Sequence, residues 1–196
     1  MKRWQLGAGN MIGVLALQGA FLEHQRMLEE IGEKVCQVKS IEDLKQCKAL
    51  VIPGGESTAI GKLLKDTKLN EEIRERVENG MPVFGTCAGM ILISKNIEGE
   101  IPHIPLFDGE VRRNGYGRQL GSFKITEKFE GIETEIPMVF IRAPYLKNVG
   151  ENVNILSTVD GRIVAAREDN ILVTSFHPEL TEDTSVHRYF VEKMIK

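Results

Sequence analysis

No apolar run in the sequence approaches the roughly 20 residues that a helix needs to span a bilayer, so no membrane helix is expected. The opening segment, residues 1–10, carries two positive charges, but no apolar stretch with a small-residue cleavage site follows it, and no secretory leader is expected. Cysteine is scarce: Cys36, Cys47 and Cys87 form an odd set without a CxxC pair. That argues against a disulfide framework and for a reducing compartment, with the cytoplasm as the expected location. Positive charge neither dominates nor clusters. Lys and Arg number 25 against 28 Asp and Glu, for a net charge of −3, so a nucleic-acid-binding face is not expected. Metal-ligand clusters, a P-loop, internal repeats, low-complexity tracts and domain linkers are also missing, and neither a metal nor a cofactor is expected.

What remains is an ordinary globular composition, 42% apolar and 27% charged over 196 residues, long enough to bury a substantial core. Residues 1–10 are set apart as an N-terminal extension, native or added. Residues 11–196 are read as a single domain.

Ile12 to Leu17 is a continuous apolar run, as in a strand buried on both faces. Helical spacing follows from Ala20 to Ile31, with Phe21, Leu28 and Ile31 near one face, and Gly32 as its stop. Val35–Val38 and Ala49–Ile52 read as strands, the second cut by Pro53-Gly54-Gly55. Ser57 and Asn70 are candidate N-caps for helices through Leu64 and Val77. Pro82–Thr86 is the next strand and Ala88–Ser94 a short buried helix. This alternation predicts an α/β fold with a parallel sheet covered by helices. In the second half, residues 139–141, 154–159, 163–167 and 171–176 look like strands, and Asp160-Gly161 signals a hairpin turn. They imply a mixed sheet with antiparallel additions at one edge. Glu182 to Ile195 reads as a closing amphipathic helix.

Sites in open parallel sheets form beyond the carboxyl ends of the strands, and Gln18, Pro53-Gly54-Gly55, Cys87 and His177 all fall there. Gly85-Thr86-Cys87-Ala88-Gly89 has the G-x-nucleophile-x-G form of a sharp strand-to-helix elbow. Its glycines relieve crowding where the chain turns back, and the helix N-terminus favours a thiolate. Most free cysteines are small buried hydrophobes, the reading given to Cys36 and Cys47. For Cys87 the spacing favours a nucleophile.

A thiol nucleophile needs a base, and the base needs an orienting partner. His24 and His187 lie in helical stretches with exposed-looking spacing, and His103 in a Pro-rich loop; all three are read as solvated or structural. His177 follows an apolar strand and opens His177-Pro178-Glu179. Pro178 biases His177 toward extended backbone, where positions i and i+2 point the same way, so Glu179 can reach the far ring nitrogen. Cys87, His177 and Glu179 thus make a coherent triad. Gly54-Gly55 leaves backbone N–H groups open, as an oxyanion hole requires, although Gly-Gly is also common in tight βα turns. The glycine-rich Gly7–Gly13 precedes a strand instead of following one and is rejected as a dinucleotide loop.

The segments GTCAG, SFHPEL and PGGES resemble the class I (triad) glutamine amidotransferases. Together with LALQGAFLEH, RNGYGRQ, FIRAP, DGRIVA and TSFHPELTEDTSVHRYF, they are similar more narrowly to the PdxT/YaaE family, the glutaminase subunits of pyridoxal 5′-phosphate synthase. The matches run in order from about Ile12 to Tyr189. Met90-Ile91 stands where other superfamily members commonly carry glutamine, which argues against the synthetase-linked glutaminases. Gly115 and Tyr116 stand where the narrower family has a small residue and usually Phe.

The resemblance implies a flavodoxin-like open, mostly parallel but mixed sheet flanked by helices, the class I glutamine amidotransferase fold. It implies hydrolysis of L-glutamine through a glutamyl thioester on Cys87, with His177 as proton carrier and Glu179 as its orienter. Backbone N–H groups of Gly55 and Ala88 would hold the oxyanion. Gly55, Glu56, Ser57, Arg113, Ile141 and Arg142 would bind glutamine, two arginines suiting a substrate with an α-carboxylate. Arg112 and Arg118 are left as surface or partner contacts. The implied partner is a (β/α)8 synthase subunit in a large hetero-oligomer that receives ammonia and completes the oxyanion hole on docking. Two rival readings stand: a DJ-1/PfpI-like cysteine hydrolase, against which His177-Pro178-Glu179 and Gly54-Gly55 weigh, and a non-catalytic regulatory subunit, against which the intact triad weighs.

Overall fold

The structure, a computed structural model, describes residues 9–116 and 121–196. Arg118 and most of the N-terminal extension lie outside the described residues. Gly9 and Asn10 are described, and the Gly9 N–H donates to the Lys45 carbonyl at 3.3 Å.

Five strands form a parallel core: β1 (Met11–Leu15), β2 (Val35–Val38), β3 (Cys47–Ile52), β4 (Val83–Thr86) and β12 (Ile171–Thr174) lie side by side in the order β2-β1-β3-β4-β12. Their near-continuous apolar sequences are what burial on both faces demands. Beyond β12 the sheet continues with β11 (Arg162–Glu168), β9 (Tyr145–Val149), β6 (Phe107–Arg112) and β5 (Ser94–Ile97). β10 (Asn154–Val159) pairs with β11. Every pairing in this extension is antiparallel except β5 with β6, so the expected mixed, flavodoxin-like sheet with antiparallel additions at one edge is what the chain forms. A separate hairpin pairs β7 (Ser122–Glu127) with β8 (Ile136–Ile141), where Phe123 and Phe140 stack with ring centroids 4.6 Å apart.

The two faces of the sheet carry separate cores. Leu50, Ile52, Val83 and Val173 pack against α3 (Ser57–Asp66), α4 (Leu69–Glu78) and α5 (Ala88–Ile93) through Ile60, Leu64, Ile73 and Met90. Ile12, Val14, Phe84 and Leu172 point the other way, toward α1 (Phe21–Glu30), α6 (Ser185–Phe190) and the β7–β8 hairpin. Each such side chain, fully buried, contributes about 1.5–3 kcal/mol relative to exposure.

Several elements depart from the sequence reading. α3 is capped by Glu56, whose carboxylate accepts from the N–H groups of Thr58 and Ala59 at 3.1 and 2.8 Å, and Ser57 is the first helical residue. α4 starts at Leu69, after Lys68 in a left-handed conformation, so Asn70 is not a cap. The closing helix begins at Ser185 and continues beyond Phe190 as a π-helical turn, Val191–Ile195. β5, β6, β7, β9 and a short helix α2 (Ile41–Lys45) went unread. The hairpin at Asp160-Gly161 forms as expected, both residues having positive φ, 50° and 73°.

Candidate active site

β4 and β12 are neighbouring parallel strands in which Thr86 pairs with Thr174. The residues that leave these strands therefore emerge at the same end of the sheet: Cys87 directly after β4, His177 three residues after β12. β3 lies on the other side of β4, Ile52 opposite Gly85, and delivers Pro53-Gly54-Gly55 to the same place. Strand order thus assembles groups from three distant parts of the chain.

Cys87 has φ 49° and ψ −102°, a conformation that costs a non-glycine residue strain of order 1–3 kcal/mol. Its N–H donates to the Thr174 carbonyl at 2.8 Å, which holds the elbow to the neighbouring strand. The flanking glycines are required by contact. A Cβ at Gly89 would lie 2.0 Å from the Ile52 carbonyl oxygen, and one at Gly85 would lie 2.8 Å from the Gly89 carbonyl. The elbow can pack onto β3 only without side chains at these positions.

His177 Nδ1 is 2.7 Å from Glu179 Oε1, and both residues are buried. The i, i+2 pair forms on a different backbone from the extended one expected: Pro178–Leu180 is a 3-10 turn, and the Leu180 N–H donates to the His177 carbonyl at 3.3 Å. Burial works to lower the His177 pKa but is outweighed by hydrogen bonds to Cys87 and Glu179, and the value is pushed up to about 10. The ring is thus an imidazolium at neutral pH. Burial would likewise raise the Glu179 pKa, but the His24 ring and the hydrogen bond with His177 outweigh it and hold the carboxyl below its usual range.

The N–H groups of the two turns divide sharply. Gly54 donates to Thr86 Oγ1 at 3.1 Å, Glu56 to Gln18 Oε1 at 2.8 Å, and Cys87 to Thr174. Gly55 and Ala88 donate to no acceptor among the described residues. These are the two N–H groups expected to face an oxyanion.

A cleft of about 470 Å³ opens over Cys87 and His177, bordered by Gly55, Glu56, Ser57 and Ala88 on one side and by Arg113, Ile141 and Arg142 on the other. All the expected substrate contacts thus line one cavity. Ile91 and Asn114, which the sequence reading passed over, line it too. A larger groove, about 570 Å³ along residues 127–135, offers glutamates and no cysteine or histidine, so size does not choose the site. Arg113 is paired with Glu100 and lies 3.8 Å from Glu56. Arg142 makes no ion pair among the described residues and is held at the rim with φ 42°, its N–H donating to the Gly121 carbonyl at 2.7 Å. The Gly115 N–H donates to the Ala143 carbonyl at 2.9 Å, tying the two arginine-bearing loops together. Glu56 carries a low pKa because the Ala59 and Thr58 N–H groups bond it. Arg112 lies in a half-exposed surface pair with Glu98 at 3.3 Å.

Two histidines read as solvated or structural are fully buried: His24 on α1 and His187 on α6. His24 Nε2 lies 3.0 Å from Thr86 Oγ1 and 3.3 Å from Glu179 Oε2, and its Nδ1 is 2.8 Å from His187 Nε2. Cys36 and Cys47 are free thiols whose sulfurs approach to 3.2 Å, Cys47 buried and Cys36 half-buried, away from the cleft. No cluster of three or more metal-ligating side chains occurs among the described residues, and no described helix is long and apolar enough to cross a membrane.

Residues 14–196 match the sequence model of the SNO glutamine amidotransferase family. The chain is 55% identical over 188 residues to the pyridoxal 5′-phosphate synthase subunit PdxT of Clostridium botulinum, covering 94% of this chain and 97% of that protein. It is 56% identical over 182 residues to the protein of the same name from Methanocorpusculum labreanum, covering 92% and 96%. A solved structure described as a glutamine amidotransferase superposes with a TM-score of 0.89 at 45% identity, over 93% of this chain and 97% of that one. A crystal structure of a glutamine amidotransferase from Thermotoga maritima, 16% identical with a TM-score of 0.61 over 93% and 84%, shares the fold.

Proposed function

The chain belongs to the SNO glutamine amidotransferase family, and on that footing we propose that it is the glutaminase subunit of a pyridoxal 5′-phosphate synthase. It hydrolyses L-glutamine to L-glutamate and ammonia and passes the ammonia to a (β/α)8 synthase subunit in a hetero-oligomer. The observation that carries the chemistry is the convergence of Cys87, on a strained elbow, with the His177–Glu179 pair in a cleft edged by two arginines.

In this reading the proton shared by Cys87 and His177 sits on the ring as the Cys87 sulfur attacks the side-chain amide carbon of glutamine. The carbonyl oxygen becomes an oxyanion that the Gly55 and Ala88 N–H groups receive. As the C–N bond breaks, His177 gives its proton to the leaving nitrogen, ammonia departs and a glutamyl thioester remains. The now neutral His177 takes a proton from water, whose oxygen attacks the thioester carbon. Glutamate leaves, and the proton is again shared between the Cys87 sulfur and the His177 ring. Glu179 keeps the imidazole in one orientation and stabilises its charge. Arg142 and Arg113 receive the α-carboxylate, and Gly55, Glu56, Ser57 and Ile141 complete the substrate's surroundings. No cofactor is required by these steps.

The functional domain is assigned to residues 11–196, with residues 1–10 an extension, and the cytoplasm is assigned as the location. Docking of the synthase subunit completes the oxyanion hole, so hydrolysis is slow without it. The test is glutamate release from L-glutamine by the wild type and Cys87→Ala, each with and without the synthase subunit. Release that needs both Cys87 and the partner is expected. Release that ignores the partner would point to another acceptor enzyme, and no release under any condition would overturn the glutaminase reading.

A further inference from the structure

Glu179 has two carboxylate oxygens, and the triad uses one. Oε1 bonds His177, while Oε2 is fully buried and has no hydrogen bond within the described residues. A buried carboxylate oxygen without a donor costs several times what an exposed one does. One candidate donor is His24 Nε2, 3.3 Å away. Whether it can donate depends on where the His24 ring carries its proton, and the surroundings decide that.

If the proton were on Nδ1, it would point at His187 Nε2, 2.8 Å away. His187 would then have to carry its own proton on Nδ1, which is buried with no acceptor, and an orphaned buried donor is the rarest kind of unpaired group. The His24 Nε2 lone pair would also face Glu179 Oε2. If the proton is on Nε2, both conflicts vanish. His187 donates from Nε2 to His24 Nδ1, leaving only its own Nδ1 lone pair unpartnered. His24 donates its Nε2–H to Thr86 Oγ1 at 3.0 Å with the same ring edge 3.3 Å from Glu179 Oε2, close enough to attract the carboxylate but short of a hydrogen bond, and Thr86 Oγ1 also receives the Gly54 N–H.

We propose that His24 is a positioning residue of the triad: its Nε2–H, bonded to Thr86, sets a positive edge against the second oxygen of Glu179 and, through Thr86, ties that corner of the site to the turn carrying Gly54 and Gly55. This rests on the reading of Cys87, His177 and Glu179 as a catalytic triad. The titratable groups facing His24 are Glu179 and His177 from the segment after β12, His187 from α6, and Glu23 on its own helix. Burial holds both His24 and His187 below the ordinary histidine value, against the pull of Glu179 on His24, so both rings are neutral at pH 7. The residue before α1 is tied to the same turn, the Ala20 N–H donating to the Gly54 carbonyl at 3.0 Å.

The test compares the full-length wild type with His24→Leu, which keeps bulk but no donor, and His24→Gln, whose amide N–H reaches near the Nε2 position. Two readouts are taken: kcat and KM for glutamate release in complex with the synthase subunit, and the pH profile of Cys87 alkylation by iodoacetamide on the chain alone. Loss of the donor loosens the Glu179–His177 pair, so in His24→Leu the alkylation profile shifts toward higher pH. The same variant lowers kcat at least tenfold with KM changed less than threefold, and His24→Gln recovers most of both. His24→Asn, whose amide reaches only as far as Nδ1, serves where His24→Leu does not fold, and is expected to behave as a variant without the donor. A folded His24→Leu with wild-type profile and kcat, or a Gln variant no better than Leu or Asn, overturns the inference. A wild-type Cys87 that reacts at pH 7 no faster than a free thiol would instead remove the triad reading, and the inference with it.

Discussion

The imidazole of His177 lies flush against Gly54: a Cβ at position 54 would stand 2.3 Å from its Cε1 and 3.3 Å from the Cβ of Cys87. The turn that follows β3 is therefore part of the wall that holds His177 beside Cys87. The first glycine of the Gly54-Gly55 pair makes room for the ring, while the second leaves its N–H free.

Gly54→Ala should accordingly push the His177 ring off its line to Cys87. A misplacement of about 1 Å can cost on the order of 100-fold in rate, so glutamate release should fall by that order. KM should change far less, since Gly54 does not border the substrate cleft. Steady-state kinetics with the synthase subunit, alongside a thermal melt, checks this; an active Gly54→Ala protein would refute it.

Cys87→Ala and Cys87→Gly should both be inactive, but they should differ in stability. The backbone at 87 has φ 49° and ψ −102°, open to glycine and strained for any residue with a Cβ. Cys87→Gly should therefore be more stable than Cys87→Ala by roughly 1 kcal/mol, the strain relief less glycine's greater unfolded-state entropy. Urea unfolding of the two variants measures the difference directly.

The raised pKa of His177 makes a pH-dependent contribution to stability with a definite sign. The unfolded chain releases this proton near the ordinary value of 6.5, whereas the folded protein keeps it to about pH 10. Protonation thus favours the fold: the contribution is fully present below about 6.5 and is lost as pH rises to about 10. Unfolding free energies of wild type and His177→Gln should converge between those limits. A constant gap from pH 6 to pH 10 would contradict it.

The two arginines at the cleft should weigh differently. Arg142 has no ion pair among the described residues, while Arg113 is already engaged by Glu100 and Glu56. A charge-assisted hydrogen bond to a carboxylate contributes about 1.5–3 kcal/mol, so Arg142→Ala should raise KM roughly 10- to 100-fold. Arg113→Ala should raise it less, because its carboxylate partners must be displaced before substrate gains the contact. Equal effects, or none for Arg142, would count against this division.

Much of the site could be read locally. The elbow around Cys87 is a five-residue pattern, and His177 and Glu179 are two apart, so chain connectivity alone keeps them together. Even there the route differed, since a 3-10 turn rather than extended backbone aims Glu179. The cap of α3 was misassigned by one residue because Glu56 and Ser57 both carry capping oxygens, and only the longer side chain folds back onto Thr58 and Ala59. β6 and β7 escape sequence reading because half the residues of β6 and all those of β7 are at least partly exposed, and their alternating or polar sequences lack the long apolar runs of the parallel core.

His24 and His187 show where local reading ends. Helical periodicity distinguishes an apolar stripe from a polar one, and a histidine on a helix otherwise rich in Glu and Gln reads as solvated or structural, with nothing local to say which. What buries His24 is the arrival of Glu179, Thr86 and His187 from three other elements, 155, 62 and 163 residues away in sequence. Spacings of a few residues were enough to predict the alternation of the parallel core and to single out Cys87, His177 and Glu179. Which N–H groups and which arginine lack partners among the described residues, and what faces the far oxygen of Glu179, emerged from tertiary packing alone. Hydrogen-bond partners are exhausted or left over only once strands distant in sequence lie side by side.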